Sequence, residues 1–354
     1  MFSFNENELT ARMLMRLCPP WQLISFGEDG RAREDLSVLL IGYGRLGRAV
    51  LNYLLVNGQF AGSTFHADVV DQRGTEVSGW LTARAPELLK HYDIRFHEAN
   101  TDGAGLFRLL AENGSRYKAI ILCTGNQEKN LEILHDLKYW YQNRPNVPIM
   151  IRCTRDSMIA GKMPLCYADA YTRENLDMEK MDSVAMAINH TYMKGESAAA
   201  DWLSCDAFSR ASSRASADFS PAFLRAAGIT MEQVEQGGWP PPENVLENLA
   251  ETEHKRWCAF HCSMGYRPMT REEFRLRADL YRKEMKEKGS SSVRLNKDPE
   301  SRTHICLVPW EELDGLSRKM NEVTGGRMDY KAMDRENVLA LPGILEQVPE
   351  QFRG

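Results

Sequence analysis

From Ser37 onward, short apolar runs alternate with longer amphipathic stretches. "SVLLIG" reads as a buried strand and "RLGRAVLNYLLVNG" as a helix closed by Gly58. "STFHADVVDQRG" and "DIRFHEAN" read as a second and a third strand. "AGLFRLLAENG" is a helix stopped by Gly114, "YKAIILCTG" a fourth strand, "NQEKNLEILHDLKYWYQNRP" a helix and "VPIMIRCT" a fifth strand. Strands alternating with helices predict a doubly wound parallel sheet, an α/β fold.

The chain on either side reads differently. Residues 1–35 form a lead-in: "ENELTARMLMRLC" is a short amphipathic helix with Leu9, Met13 and Leu17 on one face, "WQLISF" a strand and "GEDG" a turn. After residue 157 strand signals vanish. "LDMEKMDSVAMAINHTYMKG" and "PPENVLENLAETEHKRWCAFHCSMG" are helical, and "TREEFRLRADLYRKEMKEKG" is a charged helix opening on a Thr270–Glu273 capping box. "GSSSVRLNKDPESR" reads as a flexible linker. This half echoes itself. Trp202, Asp206, Phe208, Ser209 and Arg210 share a spacing with Trp310, Asp314, Leu316, Ser317 and Arg318, "LRAAGI" answers "LALPGI", and each block follows a helix with His190/Tyr192 or His254/Trp257. The reading is two copies of one helical unit, over 158–235 and 240–346, with a charged insertion near 270–300.

The 354 residues suffice for two or three domains. A net charge of −5 with interleaved signs gives no general pull toward nucleic acid or an anionic membrane. The eight cysteines form no CxxC pair, which fits a reduced, cytoplasmic setting better than a disulfide framework. "MFSFNENELTARM" is too polar for a signal peptide, and no apolar run reaches the roughly 18–20 residues of a membrane span, so the expectation is a soluble chain.

The chemistry concentrates at "GYGRLG". Gly42, Tyr43, Gly44, Arg45, Leu46 and Gly47 match G-x-G-x-x-G, placed after an apolar strand and at the start of a helix. Gly42 would allow the tight turn, Gly44 the approach of a pyrophosphate, and Gly47 close packing of helix on strand. Phosphates would sit on the free N–H groups of the helix N-terminus. Asp71 ends the second strand, where it would accept a ribose diol and favour NAD(H) over NADP(H); Gln72 shares that turn, and Arg73 weighs against the preference. Glu98 would meet the adenine end or serve ordinary loop chemistry, and Cys123, Thr124, Gly125 and Asn126 would line the pocket from the fourth strand.

The second half offers less. His254, Cys258, His261 and Cys262 share a helix face, as metal ligands or, the reading preferred here, as packed core. His190 and His254 are candidate bases, or structural histidines. No metal site and no catalytic set is assigned.

On "VLLIGYGRLGRAV", "VVDQRG", "FHEAN", "AIILCTGNQEKN" and "PIMIRC", residues 36–157 resemble the RCK/TrkA-N family of nucleotide-sensing domains. The resemblance implies a Rossmann domain that binds NAD(H) or an adenine nucleotide such as ATP, ADP or AMP, self-associates and pairs with potassium channels or transporters. On "NLAETEHKRWCAFHCSMGY" and "THICLVPWEELDGLSRKM", the second half resembles the RyR domain named from ryanodine receptors. His254, Trp257, Gly265, Tyr266, Pro309, Trp310 and Leu313 are the matching positions, and the long charged insertion is a departure from the pattern. This implies a site for a second ligand or partner at His254, Trp257, Tyr266, Pro309 and Trp310. A dehydrogenase would need an acid/base and a substrate pocket at the nicotinamide end. No convincing one is legible after residue 157, so the expectation is a cytoplasmic, oligomeric regulator of a cation channel or transporter. Two alternatives are an NAD-dependent oxidoreductase using His190 or His254, and an interaction module with a vestigial site.

Overall fold

A computed structural model describes residues 5–101, 103–142, 147–152, 165–166 and 178–346. The apolar runs form a parallel sheet. Its strands are β1 (Leu36–Ile41), β2 (Phe65–Asp71), β3 (Asp93–Glu98), β4 (Ala119–Leu122), β5 (Ile149–Ile151) and a two-residue β6 (Leu165–Cys166). Their order is β3-β2-β1-β4-β5-β6, and every pairing is parallel. The order reverses between β1 and β4, so a crevice opens there at the carboxyl ends of the strands.

Helices cover both faces. Helix α1 (Glu6–Leu17) precedes the sheet, α2 (Arg45–Asn57) follows β1, α3 (Gly74–Arg84) and α4 (Pro86–His91) follow β2, α5 (Ala104–Asn113) follows β3, and α6 (Gln127–Trp140) follows β4. Leu39, Ile41, Val70, Ile120 and Leu122 bury one face against Leu106, Leu110, Ile133 and Leu137 of α5 and α6. Val38, Leu40, Ala67 and Val69 bury the other against Val50 and Leu54 of α2. The alternation of β1 residues between the two cores is the period-2 pattern of a strand covered on both sides.

The remainder is mainly helical: α7 (Met178–Met193), α8 (Ala198–Ser204), α9 (Ala207–Ala227), α10 (Met231–Glu235), α11 (Glu243–Ser263), α12 (Arg271–Lys288), α13 (Leu313–Thr324), α14 (Tyr330–Leu339) and α15 (Leu341–Glu346). It does not stand apart from the sheet. Phe219 and Phe223 of α9 and Val245, Leu249 and Ala259 of α11 join the core of α2, and Phe219 stacks on Phe60 at 5.7 Å. Thr252 accepts the Ala61 N–H at 2.9 Å, and Lys255 donates to the carbonyls of Phe60 and Ser63. The lead-in helix is a third party. Arg12 of α1 pairs with Asp218 of α9 at 2.7 Å and Asp182 of α7 at 2.9 Å, all three buried. One apolar cluster thus draws on the lead-in, the sheet and the helical remainder, and a buried charge network ties α1 to α7 and α9. The boundary drawn at residues 157–158 lies outside the described residues, as does Cys153.

Several expectations are corrected. "WQLISF" is a 3-10 turn (Pro20–Gln22) followed by a single bridge, Phe26 to Ala32, because Pro19 and Pro20 favour a turn over a ladder. Strands do not vanish after the sheet. β7 (Arg267–Pro268), β8 (Lys297–Asp298) and β9 (Thr303–His304) make a small sheet in the order β7-β9-β8. The segment read as a flexible linker is packed: Leu295 is buried, Arg277 donates to the carbonyls of Arg294 and Lys297, and Glu284 accepts from Ser291 and Ser292. Leu17, placed on the apolar face of α1, is exposed, while Leu14 and Met15 are buried.

Candidate nucleotide site

The three glycines of the loop meet three different surroundings. Gly42 has φ +91°, and a Cβ there would sit 2.7 Å from the Thr124 nitrogen. Both the left-handed backbone and the crossing of β4 require glycine. A Cβ on Gly47 would lie 2.2 Å from the Gly42 carbonyl oxygen, so α2 closes onto β1 only with glycine at that position. Gly44 is the opposite case: a Cβ would meet nothing within 4 Å. That open space faces the start of α2, which has Gly44 as N-cap and no side-chain cap on its first N–H groups. Unpaired N–H groups and the helix dipole together make an anion seat.

Asp71 is already employed. One oxygen accepts the Tyr43 N–H at 2.8 Å and the other the Arg73 N–H at 2.9 Å. The carboxylate thus ties the end of β2 to the glycine loop, and each oxygen keeps a lone pair for a further donor. Glu98 accepts the Thr75 N–H at 2.9 Å and so caps α3; the Thr75 side chain first, and this N–H second, lower its pKa. A Cβ on Gly74 would meet the Glu98 nitrogen at 2.7 Å, which explains the glycine that starts α3. Gln72 and Arg73 are exposed, with Arg73 reaching Glu76 at 3.4 Å.

At the end of β4 the predicted residues divide. Gly125 is open, with nothing within 4 Å of a Cβ. Asn126 caps α6 by accepting the Lys129 N–H. The Thr124 hydroxyl donates to Asn130 Oδ1 at 2.5 Å. Asn130, fully buried, donates in turn to the Arg152 carbonyl and so pins the ends of β4 and β5. It closes the stretch "AIILCTGNQEKN", where nothing in the spacing signals that role. Tyr43, Leu46 and Cys123 are buried, which leaves their backbones, not their side chains, at the loop. Burial raises Tyr43 and Cys123 each to about 12. Tyr43 packs edge-on against Phe96 at 5.0 Å. Arg45 is exposed on the first turn of α2, and one turn on, Arg48 stacks 3.9 Å over Trp80, which Arg84 approaches from 5.4 Å. The spacing of Arg48 and Trp80 along the chain matches no motif.

Of the residues that carry the second resemblance, His254, Tyr266 and Trp310 are buried, Trp257 is half-buried and Pro309 is exposed. Trp257 lies parallel to His254 at 6.1 Å and against His261 at 3.9 Å. His261 donates from Nδ1 to the Trp257 carbonyl at 3.0 Å, and burial lowers its pKa to about 3. His304 is lowered to about 2 by burial and accepts the Cys306 N–H, so both rings are neutral. His254 differs. Its Nε2 faces the Val308 carbonyl at 2.8 Å and its Nδ1 the Asp334 carboxylate at 3.3 Å. Burial opposes charge on the ring; Cys258 and Asp334 outweigh it and hold the pKa above the ordinary imidazole value. Burial raises the Asp334 carboxyl against the pull of the ring. Because both nitrogens face acceptor oxygens, the positive charge sits on His254.

The echoed blocks share an order and differ in partners. His190 pairs with Asp201 at 2.7 Å, one residue before Trp202, whereas the acid at His254 comes from α14. Trp202 packs with Ala185, Ile188 and Ala217, and Trp310 with Ala250, Leu313 and Leu316. Gly228 caps α9 in the left-handed conformation, while Gly343 lies within α15.

Comparison with family models, curated proteins and solved structures returns no match to the chain. The class the fold defines is accordingly an α/β protein with a six-strand parallel sheet and a helical remainder packed on it. No helix among the described residues is long and apolar enough to cross a membrane.

Proposed function

We propose that the chain is a nucleotide-sensing regulatory protein that binds NAD(H), with ATP, ADP and AMP as the alternative ligands. The observation that carries this reading is Gly44, open to space between an uncapped helix N-terminus and Asp71 at the strand-order reversal. The resemblance to RCK/TrkA-N domains supports a cytoplasmic regulator that self-associates and acts on a potassium or other cation channel or transporter. The RyR-like half, in one or two copies, would take a second ligand or partner. With His254, Tyr266 and Trp310 in the core, that contact falls to the surface around exposed Pro309.

Sensing is preferred to hydride transfer because the candidate bases are committed elsewhere. His254 is buried on α11 with both nitrogens engaged, and His190 is held by Asp201 on α7 and α8. A sensor needs only different affinity in two conformations, typically a coupling of about 1–3 kcal/mol. Solution scattering with and without NADH is expected to show a changed arrangement of halves or of protomers. Absorbance at the nicotinamide band, followed with a metabolite panel, should stay constant. Steady NADH oxidation that is lost in His254→Ala would overturn the reading in favour of an oxidoreductase.

A further inference from the structure

The helix face that carries His254 and Cys258 has a property the nucleotide site does not use. Cys258 Sγ lies 3.5 Å from His254 Nε2, and His254 Nδ1 lies 3.3 Å from Asp334. Thiol, imidazole and carboxylate are thus in line, contributed by one turn of α11 and by α14. The resting S–H donates toward the Cys306 carbonyl at 3.7 Å. Cys258 is also the one described cysteine that is not buried; Cys18, Cys123, Cys205, Cys262 and Cys306 all are.

We infer that Cys258 is a reactive thiol, activated by the His254–Asp334 pair, and a site of modification by hydroperoxides and soft electrophiles. The thiolate is the nucleophilic form of cysteine, and an adjacent imidazolium stabilises it. Asp334 keeps the ring charged and oriented, so it acts as a positioning residue. Besides His254, the titratable groups facing the sulfur are Tyr92 at the end of α4, Cys262 one turn along α11, and Cys306 after β9. All three are neutral at ordinary pH, because burial raises each above its usual value. His254 is therefore the charge that the sulfur meets.

With a hydroperoxide the step balances as follows. The thiolate attacks the terminal oxygen, the S–O bond forms as O–O breaks, and sulfur loses two electrons to the peroxide. The product is a sulfenic acid, and the departing alkoxide or hydroxide takes a proton from solvent water and leaves as alcohol or water, while His254 keeps both its protons on the Val308 carbonyl and Asp334.

The test is alkylation of the folded full chain with iodoacetamide across a pH series, with each labelled cysteine assigned by peptide mass. Cys258 is expected to react about tenfold faster than the five buried cysteines at neutral pH. Asp334→Asn is expected to slow labelling of Cys258 in the folded chain about tenfold and to leave its rate in urea unchanged, whereas mere loosening of the packing would speed it. If Asp334→Asn does not fold, the wild-type profile decides alone. A Cys258 rate no faster than the buried thiols, or one that a folded Asp334→Asn variant leaves unchanged, would overturn the inference.

Discussion

Replacing Asp218 with alanine is expected to cost about 3–5 kcal/mol of folding free energy, the loss typical when one partner of a buried ion pair is removed. Asp218 accepts from Arg12 Nε at 2.7 Å and Nη2 at 3.0 Å, and from Arg16 at 3.1 Å. Arg12 is itself buried, so the truncation strands a charge away from water. Asp182 keeps one contact to Arg12 and is bound to Arg214 at 2.6 Å, which softens the loss without replacing it. Burial works to raise the Asp218 carboxyl, but Arg12 and Arg16 outweigh it and hold its pKa below the ordinary range. The sign follows: the contribution is present above the unfolded carboxylate's pKa of about 3.9 and is lost as pH falls through the lower folded value. The double variant Arg12→Met/Asp218→Leu should recover much of the stability, since an apolar replacement leaves no stranded charge. Urea titration reads both variants. A single-variant loss under about 1 kcal/mol would mean that the network is not what ties α1 to the helical half.

Gly47→Ala is expected to lower stability by about 3 kcal/mol, the upper part of the range for overpacking. The added methyl would lie 2.2 Å from the Gly42 carbonyl oxygen, which is backbone and cannot rotate away. Helix α2 must then lift from β1, disturbing the core that contains Val50 and Leu54. Gly44→Ala is the matched control. It places the same methyl three residues earlier, where nothing lies within 4 Å, and the backbone φ is an ordinary −68°. Its urea midpoint should match the wild type. Equal effects from the two alanines would refute the division of roles between the glycines.

The contrast between those glycines marks what was legible in the sequence. G-x-G-x-x-G between an apolar strand and a helix specifies a backbone geometry, and the left-handed Gly42 and the tight Gly47 are what that geometry demands. Asp71 was legible as a strand-end carboxylate. Its bond to the Tyr43 N–H was not, because the two residues meet only once β1 and β2 pair. Helices α3 and α4 were missed. Within α3 only Gly74, Val77 and Leu81 are buried, Gly79 interrupts the apolar pattern, and Pro86 splits one helix from the next. Residues 289–302 read as a linker from their serines and charges, yet Leu295 is buried in the core around Trp310 with Val293 packed against it. The union of the halves was beyond a local reading. Arg12 and Asp218 are 206 residues apart, and no pattern along the chain announces that they meet.

The central claim, a nucleotide seated on the open face of Gly44, is tested most directly by calorimetric titration of NADH into the wild type and Gly44→Val. The valine meets no protein atom near its Cβ, so circular dichroism and the urea midpoint should be unchanged while the space for a pyrophosphate is filled. The account predicts saturable heat with the wild type and none with Gly44→Val. Equal binding by the two proteins, or no binding of NAD+, NADH, ATP, ADP or AMP by the wild type, would contradict it.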